Sequence, residues 1–220
     1  LTPATAVEEF PREIPLEESY SYDKEVYEHR VYHGWGKPMP DEPLVFGPNI
    51  ADWPKMARLP ENLMLHVASV ITDPVTTTDE LIPSGETSSY RSNPLRLAEF
   101  TLSRKDPEYV GRAKSIQLLE RELEELPSTL SGALRSELRD ASEAGLKALG
   151  SEGDIAASLG VGSVVFARKP GDGSAREQAA SCQKVLGGWA NSAEEYAPQR
   201  YRSNLINWRM QPRLCTAWEE

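Results

Sequence analysis

Two glycines, a hydroxyl and a guanidinium fall within six residues at Gly171-Asp172-Gly173-Ser174-Ala175-Arg176. Glycine lets the backbone turn sharply and come close to a bound molecule. Ser174-Ala175-Arg176-Glu177-Gln178-Ala179-Ala180 reads as a helix start, with Ser174 as N-cap and Glu177 three residues on as its capping-box partner. Unpaired backbone N–H groups and the positive end of the helix dipole gather at such a start. A carboxylate or phosphate there would meet a hydroxyl, a guanidinium and free amides, so the pattern predicts a polyanion site with one candidate base. The same turn also occurs as plain structure, its serine only capping, and the local pattern leaves both readings open.

The elements that must position this stretch are legible around it. Val161-Gly162-Ser163-Val164-Val165-Phe166-Ala167 is a short apolar, β-branched run and predicts a buried strand, with turn punctuation from Arg168 to Gly173. In the first half the best strand is Leu63–Ile71; His66 inside it reads as a packed or surface residue rather than a ligand. A hydroxyl-rich polar loop follows from Asp73 to Pro94, almost free of helix pattern. It holds Thr77, Thr78, Asp79, Glu80 and Arg91. Long polar loops after buried strands often carry function, although a plain solvent loop has the same composition.

Elsewhere the sequence predicts a strand and turn at Leu44–Ile50, and a short helix from Pro94 to Arg104. A longer helix follows, capped by Asp106 with Pro107 at its first position. Its apolar face would be Val110, Ala113, Ile116, Leu119 and Leu123, and Glu120 falls on the solvated side with Arg121, Glu122, Glu124 and Glu125. A second helix is expected from Leu130 to Leu149, a third from Ala193 to Arg202, and no strand in the tail after Arg213.

The chain has 220 residues and a formal net charge of −10, which disfavours a nucleic-acid surface. Its two cysteines, Cys182 and Cys215, form neither a disulfide framework nor a metal-ligand spacing, so no metal is expected to be held by this chain. The apolar runs are too short to span a bilayer. The sequence predicts a soluble cytoplasmic protein (mitochondrial matrix, if eukaryotic). The start at Leu1 predicts a fragment or processed product. The expected organisation is a Pro- and Glu-rich linker or arm over 1–43, a domain over 44–212 with a helical insertion at 106–149, and a tail at 213–220.

Two of these stretches together resemble a known family. Gly171-Asp172-Gly173-Ser174-Ala175-Arg176-Glu177-Gln178-Ala179-Ala180 is similar to the G-x-G-S-S-R-E-H-A-A signature of the aconitase swivel domain. Thr77-Thr78-Asp79 with Arg91 twelve residues after Asp79 is similar to the same domain's T-T-D-H-x-S…R stretch. Gly187-Gly188, then Arg202-Ser203-Asn204-Leu205 and Met210-Gln211-Pro212, echo its later elements in the right order. Ser88-Ser89-Tyr90-Arg91-Ser92-Asn93-Pro94 and Tyr201–Trp208 look most like the aconitase-family hydratases.

The resemblance implies an α/β fold: a swivelling β/β/α domain with an inserted helical pair and an extended N-terminal arm. It implies a lid that closes over a [4Fe–4S] cluster carried by partner domains, in the same parent chain or in a large subunit as in isopropylmalate dehydratase. The reaction would be that of a hydro-lyase, removing water from and adding it back to a hydroxy-polycarboxylic acid, with the isolated chain inactive. By position Ser174 would be the base. Arg176 would support the oxyanion and a carboxylate, Arg91 would grip another carboxylate, Gly173 and Ala175 would line the substrate, and Asp79 would order the site. A hydroxyl can act as a base only where dipoles and guanidinium groups stabilise its alkoxide, and arginine suits planar carboxylates.

This chain departs from the family pattern at Ala175, where the second signature Ser stands, at Gln178 in place of its His, and at Glu80 in place of the T-T-D-H histidine. The departures put citrate and isocitrate in doubt as substrates. They also keep open a second class of function: a degenerate, non-catalytic module that binds an anionic metabolite or a protein partner.

Overall fold

A computed structural model describes residues 21–25, 36–125, 144 and 159–215. The expected second insertion helix, most of the N-terminal arm and the last tail residues lie outside the described set. The chain divides into two compact units, residues 1–45 and 46–220. Among the described residues of the first, Asp23 Oδ1 accepts the Glu25 N–H at 3.0 Å and the Glu42 N–H closes a turn on the Met39 carbonyl at 3.2 Å.

The second unit is of the α/β class. Its elements run β1 (Asn62–Ile71), β2 (Thr76–Thr77), α1 (Thr78–Leu81), α2 (Pro94–Ala98), α3 (Tyr109–Glu125), β3 (Leu159–Ala167), β4 (Pro170–Asp172), α4 (Arg176–Val185), β5 (Gly188–Ala193), α5 (Gln199–Asn207) and β6 (Gln211–Leu214). Four strands form one parallel sheet in the order β1-β3-β5-β6, and β2 pairs with β4 in a separate parallel ribbon.

The continuous apolar run of β3 is explained by its place in the sheet, with β1 on one side and β5 on the other. Val161, Val165 and Ala167 join the core that α3 and α4 close, together with Ala68 and Ile71 of β1. Helix α2 packs on α4, as does α5, whose Leu205 is fully buried. Full burial of a Val or Leu side chain contributes roughly 1.5–3 kcal/mol. A polar network locks α4 to α5 and β5: Gln183 Nε2 donates to Tyr201 Oη (2.9 Å), and Asn191 Nδ2 to Gln183 Oε1 (3.3 Å).

Several expectations are corrected. Residues 44–47 form no strand, although a turn does close from Gly47 to Ile50 (3.1 Å). The polar stretch after β1 contains β2, α1 and a 3-10 turn at Ser88–Tyr90 rather than a plain loop. Helix α2 stops at Ala98, with turns instead of helix as far as Lys105. Helix α3 begins at Tyr109, not at Pro107. Glu120 is buried rather than solvated, because its carboxylate accepts the Val161 N–H at the edge of β3. Pro170–Asp172 is strand, not turn alone. The residues after Gly188 form β5, and the third helix comes later, at Gln199–Asn207. The supposed strandless tail contributes β6, which runs two residues past position 212.

Candidate functional site

The site is built where β1 and β3 end. Ligands of open parallel sheets bind beyond the carboxyl ends of the strands, and both motif stretches leave the sheet there. After β1 the chain forms β2 and α1. After β3 it forms β4 and the turn into α4. The pairing of β2 with β4 sets Thr76 beside Pro170 and Thr77 beside Asp172. Thus the stretch Thr77-Thr78-Asp79 and the stretch Gly171–Arg176 lie side by side, although some ninety residues separate them in sequence.

The two glycines are required by this contact. Gly171 has φ +97° and Gly173 φ +132°, conformations that side-chain-bearing residues rarely adopt. A Cβ on Gly171 would stand 2.4 Å from the Tyr201 ring, and one on Gly173 would stand 2.1 Å from Thr78 Oγ1. The Gly173 backbone and the buried Thr78 side chain therefore meet with no room for a methyl group.

Ser174 is exposed on the turn, and its hydroxyl makes no hydrogen bond among the described residues. It is not the N-cap: Ala175 holds that position (φ −81°, ψ 40°) with no side-chain cap bond, so the expected Ser174–Glu177 capping box is absent. Glu177 is engaged elsewhere, accepting from Trp208 Nε1 at 3.0 Å. The Asn204 amide, oriented with nitrogen donating to the Arg200 carbonyl (2.6 Å), accepts the Glu177 N–H (3.3 Å). This cap comes from α5, which is why spacing within one segment could not reveal it.

Arg176, the first residue of α4, is half-buried, and its Nε is shut away from solvent without a partner. Leaving such a donor unsatisfied costs about 1–3 kcal/mol, and an incoming acceptor would remove that cost. Arg91 is exposed and lines a cavity of about 50 Å³ with Trp53, Glu177 and Gln178. It makes no hydrogen bond or ion pair among the described residues. Arg91 thus faces α4 on the side of Glu177, Gln178 and Ser181; Arg176 does not line that cavity, and as the first residue of the helix it falls on the opposite side of the helix wheel.

The acidic residues of the other stretch are already engaged. Asp79 accepts from Arg104 Nη1 (2.6 Å) and from the Ser84 N–H (3.2 Å), which fixes the 79–84 loop. Thr77 and Glu80 form the reciprocal capping box of α1. Burial on its own would raise the Glu80 carboxyl; bonds from the Thr77 N–H and Lys105 outweigh it and hold the group below its usual value. The negative charge at Glu80 is therefore met by Lys105 Nζ (3.0 Å) rather than left facing a ligand.

Sequence reasoning missed Trp53, and it singled out Thr78 and the Tyr201–Trp208 stretch by resemblance without giving them a part in bracing the site. Trp53 stacks on Trp208 with ring centroids 4.8 Å apart, beside the Arg91 cavity. Tyr201 packs against Gly171, and Thr78 against Gly173. An isolated aromatic such as Trp53 carries no spacing signal, so only the fold could reveal its place beside Trp208.

Fold and site together define an α/β protein with a positive-φ glycine turn beyond the carboxyl end of β3, packed against the stretch that follows β1. Compared with protein-family models, with curated proteins and with solved structures, the chain matches none. An iron–sulfur cluster does not fit the described residues: Cys182 lies in the core with its thiol pushed by burial up to about 12, and no group of three or more His, Cys, Asp or Glu stands together among them. Nor is any helix among the described residues long and apolar enough to cross a membrane.

Proposed function

We propose that this chain is the swivel, or lid, part of an aconitase-type hydro-lyase acting on a hydroxy-polycarboxylic acid, with the cluster supplied by partner domains or a large subunit. The reading rests on one observation above the others: β2–β4 pairing brings the two signature-like stretches together, and Thr78 packs on Gly173 without space for a Cβ. The unpartnered Arg176 Nε supports it, since a substrate carboxylate is the acceptor that group lacks.

In this reading Arg176 and Arg91 hold two carboxylates of the substrate. Ser174, as the alkoxide that the Arg176 guanidinium stabilises, takes the proton from the carbon next to a carboxylate and becomes the neutral hydroxyl. Gly173 and Ala175 offer backbone only, so they set how closely substrate can approach. Asp79 acts by holding the loop that carries it, through Arg104 and Ser84.

The second reading, a non-catalytic module for an anionic metabolite or a protein partner, is favoured by the Ser174 hydroxyl, which has no described partner to activate it. To separate the two, the chain is combined with a cluster-loaded partner, and the ultraviolet absorbance of the unsaturated acid is followed for wild type and Ser174→Ala. Turnover lost in Ser174→Ala with substrate binding kept supports the hydro-lyase. Binding without turnover for any polycarboxylate supports the module.

A further inference from the structure

Lys184 stands near the other end of α4, about 12 Å along the axis from Arg176 at ~1.5 Å per residue. It is only 6% exposed, yet it lines a cavity of about 340 Å³. The remaining charged walls, among the described residues, are Lys55, Glu120 and Arg121. Val161 and Trp189, near the amino-terminal ends of β3 and β5, form part of its floor, so the cavity opens at the end of the sheet away from Ser174.

The charges in this cavity do not balance. Lys184 Nζ lies 3.1 Å from the centre of the Trp189 ring and makes no hydrogen bond or ion pair among the described residues. Glu120, the one carboxylate in the wall, is turned to the Val161 N–H of β3. A buried ammonium without a counter-ion is costly. Burial pushes Lys184 down to about 8, Arg209 lowers it further, and Glu120 opposes them. Three cations thus surround a space of ligand size in a chain whose net charge is −10.

We propose that this cavity is a second ligand site, distinct from the one at the start of α4, for a small molecule whose carboxylate or phosphate group pairs with Lys184. Lys55 and Arg121 meet the ligand's remaining charge, and Trp189 and Met56 supply an apolar wall. Binding favours the ammonium form, so affinity is highest below about pH 8 and falls above it. Glu120, Arg121, Lys55 and Arg209 are the other charges facing this lysine.

The test uses the full chain with succinate and inorganic phosphate as probes, each at about 10 mM against chloride of equal ionic strength. Two readouts are taken: unfolding temperature, and the rate at which acetic anhydride labels Lys184, followed by peptide mass. At least one probe is expected to raise the unfolding temperature by a few degrees and to slow Lys184 labelling about threefold. Response to one probe only identifies carboxylate or phosphate as the source. Arg176→Gln keeps both effects, which separates this site from the first; Lys184→Met added to Arg176→Gln loses the thermal response. Should Lys184→Met fail to fold, labelling in the wild-type chain decides alone. Absence of protection by both probes overturns the proposal, as does a thermal response that survives Lys184→Met in the Arg176→Gln background.

Discussion

Gly173→Ala probes the contact on which the site depends. The glycine sits at φ +132°, and a Cβ there would come within 2.1 Å of Thr78 Oγ1 and 3.3 Å of Thr78 Cβ. Holding alanine in that backbone conformation costs about 1–3 kcal/mol. Pushing the buried Thr78 aside adds roughly 1–3 kcal/mol. The sum, about 2–6 kcal/mol, is a large part of the stability of an ordinary domain, yet compatible with folding at room temperature. Urea denaturation of a double-mutant cycle separates the two parts. Thr78→Ala removes the clashing oxygen, so combined with Gly173→Ala it is expected to recover about 1–3 kcal/mol of coupling while the backbone cost stays. Thr78→Val keeps an atom in the same place and recovers nothing. A single-mutant cost under about 0.5 kcal/mol, or equal coupling with Ala and Val, would refute the claim that the two stretches touch here.

Other expectations follow from neighbouring contacts. Gly162→Ala would place a Cβ 1.8 Å from Trp189 Cδ1, so the indole must move; near-ultraviolet circular dichroism should change, and an unchanged spectrum counts against that packing. Glu120→Ala strands the Val161 N–H and should cost about 1–3 kcal/mol in a denaturation midpoint, whereas Glu120→Gln keeps an acceptor and should cost less. Equal costs would show that the bond contributes nothing. Acid stability follows Asp106 and Glu80. Burial alone would raise the Asp106 carboxyl, but the Arg112 guanidinium and Ser69 hydroxyl outweigh it and hold it below its usual value. Folded pKa values below the unfolded ones mean stability that is full above about pH 5 and lost as pH falls through the folded values. Asp106→Asn should therefore flatten the acid limb of stability against pH, and an unaltered limb would contradict this assignment.

The parts of the fold that could be read in the sequence share a physical reason. Strand β3 is long and apolar because it lies inside the sheet between β1 and β5, and β1, at the sheet edge, still buries Ala68 and Ile71 in the core, so their apolar runs name both directly. Strand β5 hides because Asn191 and Ser192 break its apolar run; the Asn191 Nδ2 donates to Gln183 Oε1, a partner that sequence cannot supply. Strands β4 and β6 are three and four residues long and contain Pro170 and Pro212, so local propensity argues against both. Glu120 reads as a surface charge until a backbone N–H from another element claims it. The glycine turn was legible because φ above zero demands glycine, whereas its cap by Asn204 and its bracing by Trp208 and Tyr201 come from α5 or the residue just after it, and only tertiary packing could bring them there.

The most direct measurement follows backbone amide and arginine Nε resonances of the labelled chain as propane-1,2,3-tricarboxylate is added. Progressive, saturable shifts are predicted at Gly173, Ser174, Ala175 and Arg176, at Thr78 and Asp79, and at the Arg91 Nε. Movement of these signals together means that the two stretches form one polycarboxylate site. Stationary signals at Ser174 and Arg176, while the tricarboxylate saturates some other part of the chain, would contradict it.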